Sequence, residues 1–359
     1  MEEKAMRYQV VIRRARWAAL CFPCALGANI AQANDQVQLY GAVDAFAGSM
    51  RVSGQSHGTA VVNSSGLTTS YWGLKGRESL GNSLSAEFAL ESFFRTDSGR
   101  FGRYDGDTFF GRNAYVGLSS SYGTLKLGRN TTPWFISMLL FNPLGDSEVF
   151  SPMFLQSYTT PPGSPVNRTI AGDTAWNNSV LYQSPGFGGL RFNLLYATGE
   201  EVGHQGKQNY GGNITYFSGD FAASVAVQRV SVNAPEFSAN GAAYQMAYLL
   251  GSSYDFRWIK LYGQYARADN HYDANGSQDN KTMQLGFSSP ILAGTLLSSW
   301  ARTWQGSGVA QQSARRDTVS IAYDYPFSKR TDVYVAWRYD KVTHLNAGNS
   351  AGLGLRHKF

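Results

Sequence analysis

A strict two-residue alternation recurs along most of this chain, and it constrains the fold more than any other feature. In TVSIAYDYPF, Val319, Ile321, Tyr323 and Tyr325 fall on one side of an extended backbone, and Thr318, Ser320, Ala322 and Asp324 on the other. In TDVYVAWRYD, Val333, Val335, Trp337 and Tyr339 oppose Asp332, Tyr334, Ala336, Arg338 and Asp340. WIKLYGQYA repeats the pattern, with Ile259, Leu261 and Tyr265 against Lys260, Tyr262 and Gln264. Successive side chains of a strand point to opposite faces, so this period means strands with one apolar face and one polar face.

A soluble β-sandwich also alternates. Two patterns favour a membrane barrel instead. The apolar faces carry Tyr, Trp and Phe near strand ends, where a barrel wall meets the two membrane interfaces. The links between strands also alternate in length. Those at 51–69, 94–109, 198–210, 268–281 and 341–350 are long and polar, while SLGN at 79–82, SSSYG at 119–123, SGD at 218–220 and SKRT at 328–331 are tight. Short turns at one end and long loops at the other are the layout of an outer-membrane barrel. The expected fold is all-β: a 16-stranded antiparallel transmembrane β-barrel, its first strand starting near Gln36 and its last near Ala351. A closed barrel has no free edge, so segment 351–359 should pair with 36–46. Ending on the aromatic Phe359 then makes sense at a membrane interface.

The first 33 residues read as an export signal. Basic residues (Lys4, Arg7, Arg13, Arg14, Arg16) precede the run WAALCFPCALGANIA and then Ala31-Gln32-Ala33, an A-x-A cleavage pattern. The expected organisation is a cleaved signal at 1–33 and a single barrel domain at 34–359. Both cysteines, Cys21 and Cys24, fall in the signal, so the mature chain should lack disulfides and thiolate metal sites. Removing the 5 basic and 2 acidic residues of the signal from 31 and 25 leaves 26 and 23, a net charge of +3. That is no nucleic-acid footprint.

Catalytic signatures are missing from the sequence. His57, His204, His271 and His344 fall in four separate expected loops, and His357 in the last strand. None pairs at zinc-ligand spacing, and neither a G-x-S-x-G elbow nor a P-loop occurs. No enzyme, cofactor or metal is expected. The longest link, about 131–176, stands apart. Trp134, Phe135, Ile136, Met138, Leu139, Leu140 and Phe141 make its first half too apolar for a solvated loop, and Asp146 and Glu148 follow. So long a loop in a compact fold is usually functional.

Several stretches carry a family resemblance: VQLYGAVDAF at 37–46, YWGLKGRESLGNSLSAEFALES at 71–92, FGRNAYVGLSSSYGTLKLGRNTTP at 110–133, NNSVLYQSPGFGGLRFNLLY at 177–196 and GLRHKF at 354–359. They span both ends and the middle of the mature chain, in family order. The chain resembles the general porins of Gram-negative outer membranes, beta-proteobacterial branch. The resemblance implies a homotrimer that passes small hydrophilic solutes and ions passively. It implies contacts with outer-membrane lipid and lipopolysaccharide and with the barrel assembly machinery, which reads Phe359. It also implies that the third loop folds back into the lumen, acidic residues facing wall arginines across the neck. Of three such arginines only Arg112 is kept; Tyr71 and Ala175 stand at the other two positions.

The expected constriction therefore comprises Arg112, Asp146, Glu148 and Tyr71, with Lys75, Arg77 and Arg168 as compensating cations. Asp44, Glu87 and Glu91 are expected as further lumen charges. Arg129 shares parity with the outward Leu125 and Leu127, so it is either covered by a neighbouring subunit or turned inward by a bulge. Small outward residues Gly41, Ala86 and Gly117 are expected on the subunit-facing wall. Two rival functions remain at this point: a substrate-selective channel, or an adhesion barrel acting through its loops.

Overall fold

The computed structural model describes residues 37–200, 208–231, 242–272, 276–307 and 313–359. The expected export signal and His204 lie outside these residues. The strands are β1 (Gln38–Met50), β2 (Thr59–Ser64), β3 (Tyr71–Gly81), β4 (Leu84–Phe93), β5 (Asn113–Ser120) and β6 (Gly123–Thr131). After two helices, α1 (Pro133–Leu140) and α2 (Pro152–Tyr158), come β7 (Ala175–Gln183), β8 (Leu190–Ala197), β9 (Asn209–Ser218) and β10 (Phe221–Val230). The chain continues through β11 (Ala242–Asp255), β12 (Lys260–Tyr272), β13 (Gly276–Ile291), β14 (Gly294–Gln305), β15 (Ala314–Pro326), β16 (Thr331–Val342) and β17 (Gly348–Lys358).

Each strand runs antiparallel to its neighbour, and β17 returns to β1 with Ala42↔Lys358 through Ser49↔Ala351 in register. The sheet is thus closed, and no edge is left to pair with another chain. Two of the 17 strands share one place in the ring. β2 pairs with Ala45–Met50 of β1, and β3 with Gln38–Ala42 on the same edge. Together they make one broken stave, so the barrel has 16. Asp44 holds the break: its carboxylate accepts the backbone N–H of Gly66, Leu67 and Thr68 at 2.9–3.0 Å and the Tyr334 hydroxyl at 2.5 Å. The expectation that Asp44 is a solvated lumen charge is therefore corrected. It is fully buried and fixes a loop.

The two faces follow the alternation. On β16, Val335 and Trp337 are exposed, while Tyr334, Arg338 and Asp340 are buried. Exposed Leu250, Leu285, Ile321 and Leu353 continue the apolar outer band. β12 and β13 reach further than expected, into 268–281, and place His271 on a strand instead of a loop. Both faces are polar there, so the period carries no hydrophobic contrast. At the seam, Gly41 and Phe359 exchange backbone hydrogen bonds, both 3.2 Å. A Cβ on Gly41 would lie 2.4 Å from the Tyr71 carbonyl oxygen and 2.8 Å from the Phe359 ring. Gly41 is covered by its own chain and is not open to a partner.

The long connection forms two short helices, each opened by a hydroxyl cap and a proline. Thr132 Oγ1 accepts from the Phe135 N–H at 3.1 Å, and Ser151 Oγ from the Phe154 N–H at 3.2 Å. Such caps satisfy donors that a helix N-terminus leaves unpaired. The helix α1 packs against β9, β10 and β11, and α2 against β13, β14 and β15. Trp134, Met138 and Met153 are fully buried against wall alanines Ala226, Ala247, Ala266 and Ala268, whose small side chains leave room for them. The wall also supplies donors to the loop carbonyls. Asn213 reaches Pro133 O at 3.0 Å, Gln264 reaches Met138 O at 3.0 Å, and Gln156 of the loop donates to Ala301 O at 2.9 Å. Arg316, paired with Asp340 at 2.9 Å, donates to Leu155 O and Thr159 O at 3.1 Å, and Arg338 donates to Val149 O. These wall residues alternate with the exposed apolar ones, so the loop lies on the polar face.

Candidate pore constriction

With α1 and α2 lying on β9–β15, the wall of β3–β6 is left open opposite them. Between this wall and the loop is a cavity of about 240 Å³. The wall contributes Lys75, Glu91, Arg112 and Lys126; the loop contributes Asp146 and Glu148. Arg103, from the link between β4 and β5, completes the lining.

These charges differ in freedom. Glu91 is buried and accepts Arg112 Nη1 at 2.5 Å, the Tyr40 hydroxyl at 2.6 Å and the Asn113 amide. The Arg112 guanidinium lies 4.1 Å over the Tyr71 ring. The guanidinium of the one matched wall arginine is thus paired with Glu91 and held over an aromatic face, a geometry that favours a cation. Lys126 is paired with Glu87 at 3.2 Å, donates to the Tyr115 hydroxyl at 3.0 Å and caps that ring. Lys75 sits 4.6 Å over the Tyr40 ring and is exposed. Among the described residues, Lys75, Asp146 and Glu148 make no ion pair. Burial pushes the Asp146 carboxyl up, against the lowering effect of Arg112. Burial likewise pushes Glu148 up to about 7, ahead of the opposing Arg103 and the reinforcing Asp146, Asp107 and Asp173.

Above this neck is a second cavity of about 660 Å³, lined by Arg95, Arg103, Tyr104, Glu148, Arg168 and Asp173. Arg168 therefore belongs to the vestibule and not to the neck. Arg77 is exposed beside the tight turn after β3 and does not line either cavity. Asp173 ties the loop end to the wall. It pairs with Arg103 at 2.8 Å and with Arg129. Burial alone would raise its carboxyl, but these guanidinium groups outweigh burial and hold it well below the usual range.

Arg129 corrects the subunit-interface expectation. Asn177 and Asn178 of β7 together oppose this one residue, because the register skips from Gly128↔Ser179 to Asn130↔Trp176. Such a bulge re-aims side chains. Arg129 is buried in its own chain, donating to Gly111 O at 2.8 Å and Asn177 Oδ1 at 2.7 Å. Gly117 is also misplaced by the outward reading. It sits between Glu87 and Lys126 on the lumen-side parity.

Residues 17–345 match the family model described as Gram-negative porin. The chain belongs to the Gram-negative porins. Its relatives include an outer membrane porin protein of Bordetella pertussis, 29% identical and covering 92% of this chain and 96% of its own. Outer membrane porin protein 32 of Delftia acidovorans is 26% identical over 95% and 92%. Among solved structures, an anion-selective porin from Comamonas acidovorans superposes with a TM-score of 0.75 at 23% identity, over 90% of this chain and 100% of that one. OmpT of Vibrio cholerae in a trimer form gives 0.64 at 14% identity, over 90% and 99%. This porin is accordingly a multi-pass β-barrel of the bacterial outer membrane and forms a channel. Its family is one of channels, not of enzymes.

Sequence reasoning missed two cations of the porin's neck. Lys126 was accessible, since it lies between the outward Leu125 and Leu127. Arg103 was not, because a loop residue has no period to betray its direction.

Proposed function

We propose that this porin is a general diffusion channel of weak ion selectivity, with the connection 131–176 lying in the lumen and narrowing it. A barrel of sixteen strands leaves an aqueous channel unless something enters it. The observation that carries the reading is the near-balance of the neck: Lys75, Arg103, Arg112 and Lys126 stand against Glu91, Asp146 and Glu148, with Glu87, Asp107 and Asp173 pairing behind. The balance makes the channel close to neutral or slightly cation-favouring, in contrast to the anion-selective porin of Comamonas acidovorans. The protein acts as a homotrimer, the form named for one of its structural neighbours. Residues 1–33 direct export and are removed.

Single-channel recording tests this. A conductance linear in voltage and unsaturated in salt is expected. Saturation, or block by one sugar or organic anion, would instead establish a substrate-selective channel.

A further inference from the structure

Asp146 and Glu148 stand close together on the tip of the connection without an ion pair to hold either of them. Like charges repel and favour water, so side-chain forces alone would let this tip drift from the wall. Backbone groups hold it instead. Thr69 Oγ1 donates to Asp146 O at 2.8 Å, and Ser147 Oγ donates to Gly66 O at 2.5 Å. The same Ser147 oxygen accepts the Phe150 N–H at 2.8 Å, which closes the turn. Leu67 lies in one buried cluster with Leu144, Val149 and Phe150 of the tip. Thr69, Gly66 and Leu67 all belong to segment 65–70, where the chain leaves β2 and crosses to β3.

This segment forms no strand, so its shape is imposed by neighbours. The Asp44 carboxylate on β1 accepts the N–H of Gly66, Leu67 and Thr68. The Asp44 carbonyl oxygen accepts the Ser65 N–H at 2.9 Å and the Ser70 hydroxyl at 3.0 Å. Tyr334 of β16 donates its hydroxyl to the same carboxylate, and a Cβ at position 66 would overlap that hydroxyl. Arg356 of β17 donates to Thr68 Oγ1 at 2.9 Å. A buried carboxylate that accepts several N–H groups fixes the backbone carrying them, because each one released is left unpaired. Asp44 and Tyr334 are buried and line neither the neck nor the vestibule.

We propose that segment 65–70 is a bracket that sets where Asp146 and Glu148 stand in the neck, and that Asp44 and Tyr334 act through it as positioning residues for ion selectivity. The inference rests on the reading of 131–176 as a constriction in the lumen. Two residues outside the channel lining then govern which ions pass.

The test is the zero-current potential of the intact channel in a planar bilayer under a salt gradient. Each tip carboxylate is worth about twofold in the cation-to-anion permeability ratio, so Asp146→Asn with Glu148→Gln should lower it about fourfold. Asp44→Asn turns one accepting oxygen into a donor that cannot receive the N–H groups it faces. Release that halves the time the tip spends at the neck should lower the ratio about twofold and raise the low-frequency current noise. Combined with the neutralised tip, Asp44→Asn should still raise the noise but move the potential no further. Tyr334→Phe and Thr69→Val change no charge and should shift the ratio in the same direction, each by less than Asp44→Asn. Thr69→Ser keeps the hydroxyl and should match the wild type. These neutral variants keep the test open if Asp44→Asn folds poorly. An undiminished shift by Asp44→Asn on the neutralised tip would overturn the proposal, because Asp44 would then act by its own charge. A wild-type potential in both Tyr334→Phe and Thr69→Val would overturn it as well. A neutralised tip with the wild-type potential would remove the constriction reading itself, and the bracket with it.

Discussion

Acidification from about pH 8 to about pH 5 should shift this porin's ion preference toward anions, and Glu148 is the group responsible. Its carboxyl is half-buried between loop and wall without an ion-pair partner, and desolvation raises it from 4.5 to about 7. A raised carboxyl is neutral below its pKa and charged above it, so lowering the pH through the window between 4.5 and about 7 removes one negative charge from the neck. A unit charge about 8 Å from an ion's path in water-like surroundings acts with about 0.5 kcal/mol. Screening over a Debye length of ~10 Å leaves about half of that. The effect has opposite sign for cation and anion, so their permeability ratio should change about twofold. The assay is the zero-current potential across a planar bilayer under a salt gradient, measured across the pH range. Glu148→Gln should start from the acid-side value and lose the dependence within this window. A wild type with no inflection above its ordinary carboxyl range, or a variant that keeps the inflection, would refute the assignment.

Arg112→Ala removes a cation while Glu91 keeps Tyr40 and Asn113, so the same measurement should move about twofold toward cations, with a higher conductance. Trp134→Ala empties a fully buried aromatic site under α1 and should cost about 3–5 kcal/mol of the loop's docking, seen as noisier and larger single-channel currents. Deleting Phe359 removes the ring over Gly41 and the last backbone pair of the seam, and should lower the yield of heat-modifiable oligomer in the outer membrane. A wild-type yield would place closure and assembly elsewhere.

How much of this was legible depended on where period 2 had contrast. From Val319 to Tyr325 on β15 and from Val333 to Tyr339 on β16 every second residue is apolar and outward, and those stretches follow the sequence reading closely. On β12 and β13 near residues 268–281 both faces are polar, and strand was mistaken for loop. β2 was hidden for another reason: it exists because Asp44 ties down the break that follows it, a contact 22–24 residues away in sequence. The two helices were signalled by Thr132-Pro133 and Ser151-Pro152, cap pairs that a search for strands passes over. At the neck, wall residues could be placed by parity, and Lys75 and Glu91 were, while Arg112 followed from the family resemblance. Arg129 shows the limit of parity, since Gly111, Asp173 and Asn177 of its own chain cover it where parity alone left it facing lipid or a partner. Arg316 and Arg338, which hold the loop, had no local signal, because their partners are carbonyls on a connection more than 150 residues away.

If the connection between β6 and β7 stands in the path of permeating ions, a thiol placed on it by Glu148→Cys should be within reach of a permeating reagent. Both native cysteines precede residue 34, so the introduced thiol would be the only one in residues 34–359. Recording the conductance of single channels while a small thiol-reactive cation is added from the loop side should show stepwise decreases, one for each modified subunit. Complete modification, verified by mass, with conductance unchanged would place the connection outside the channel.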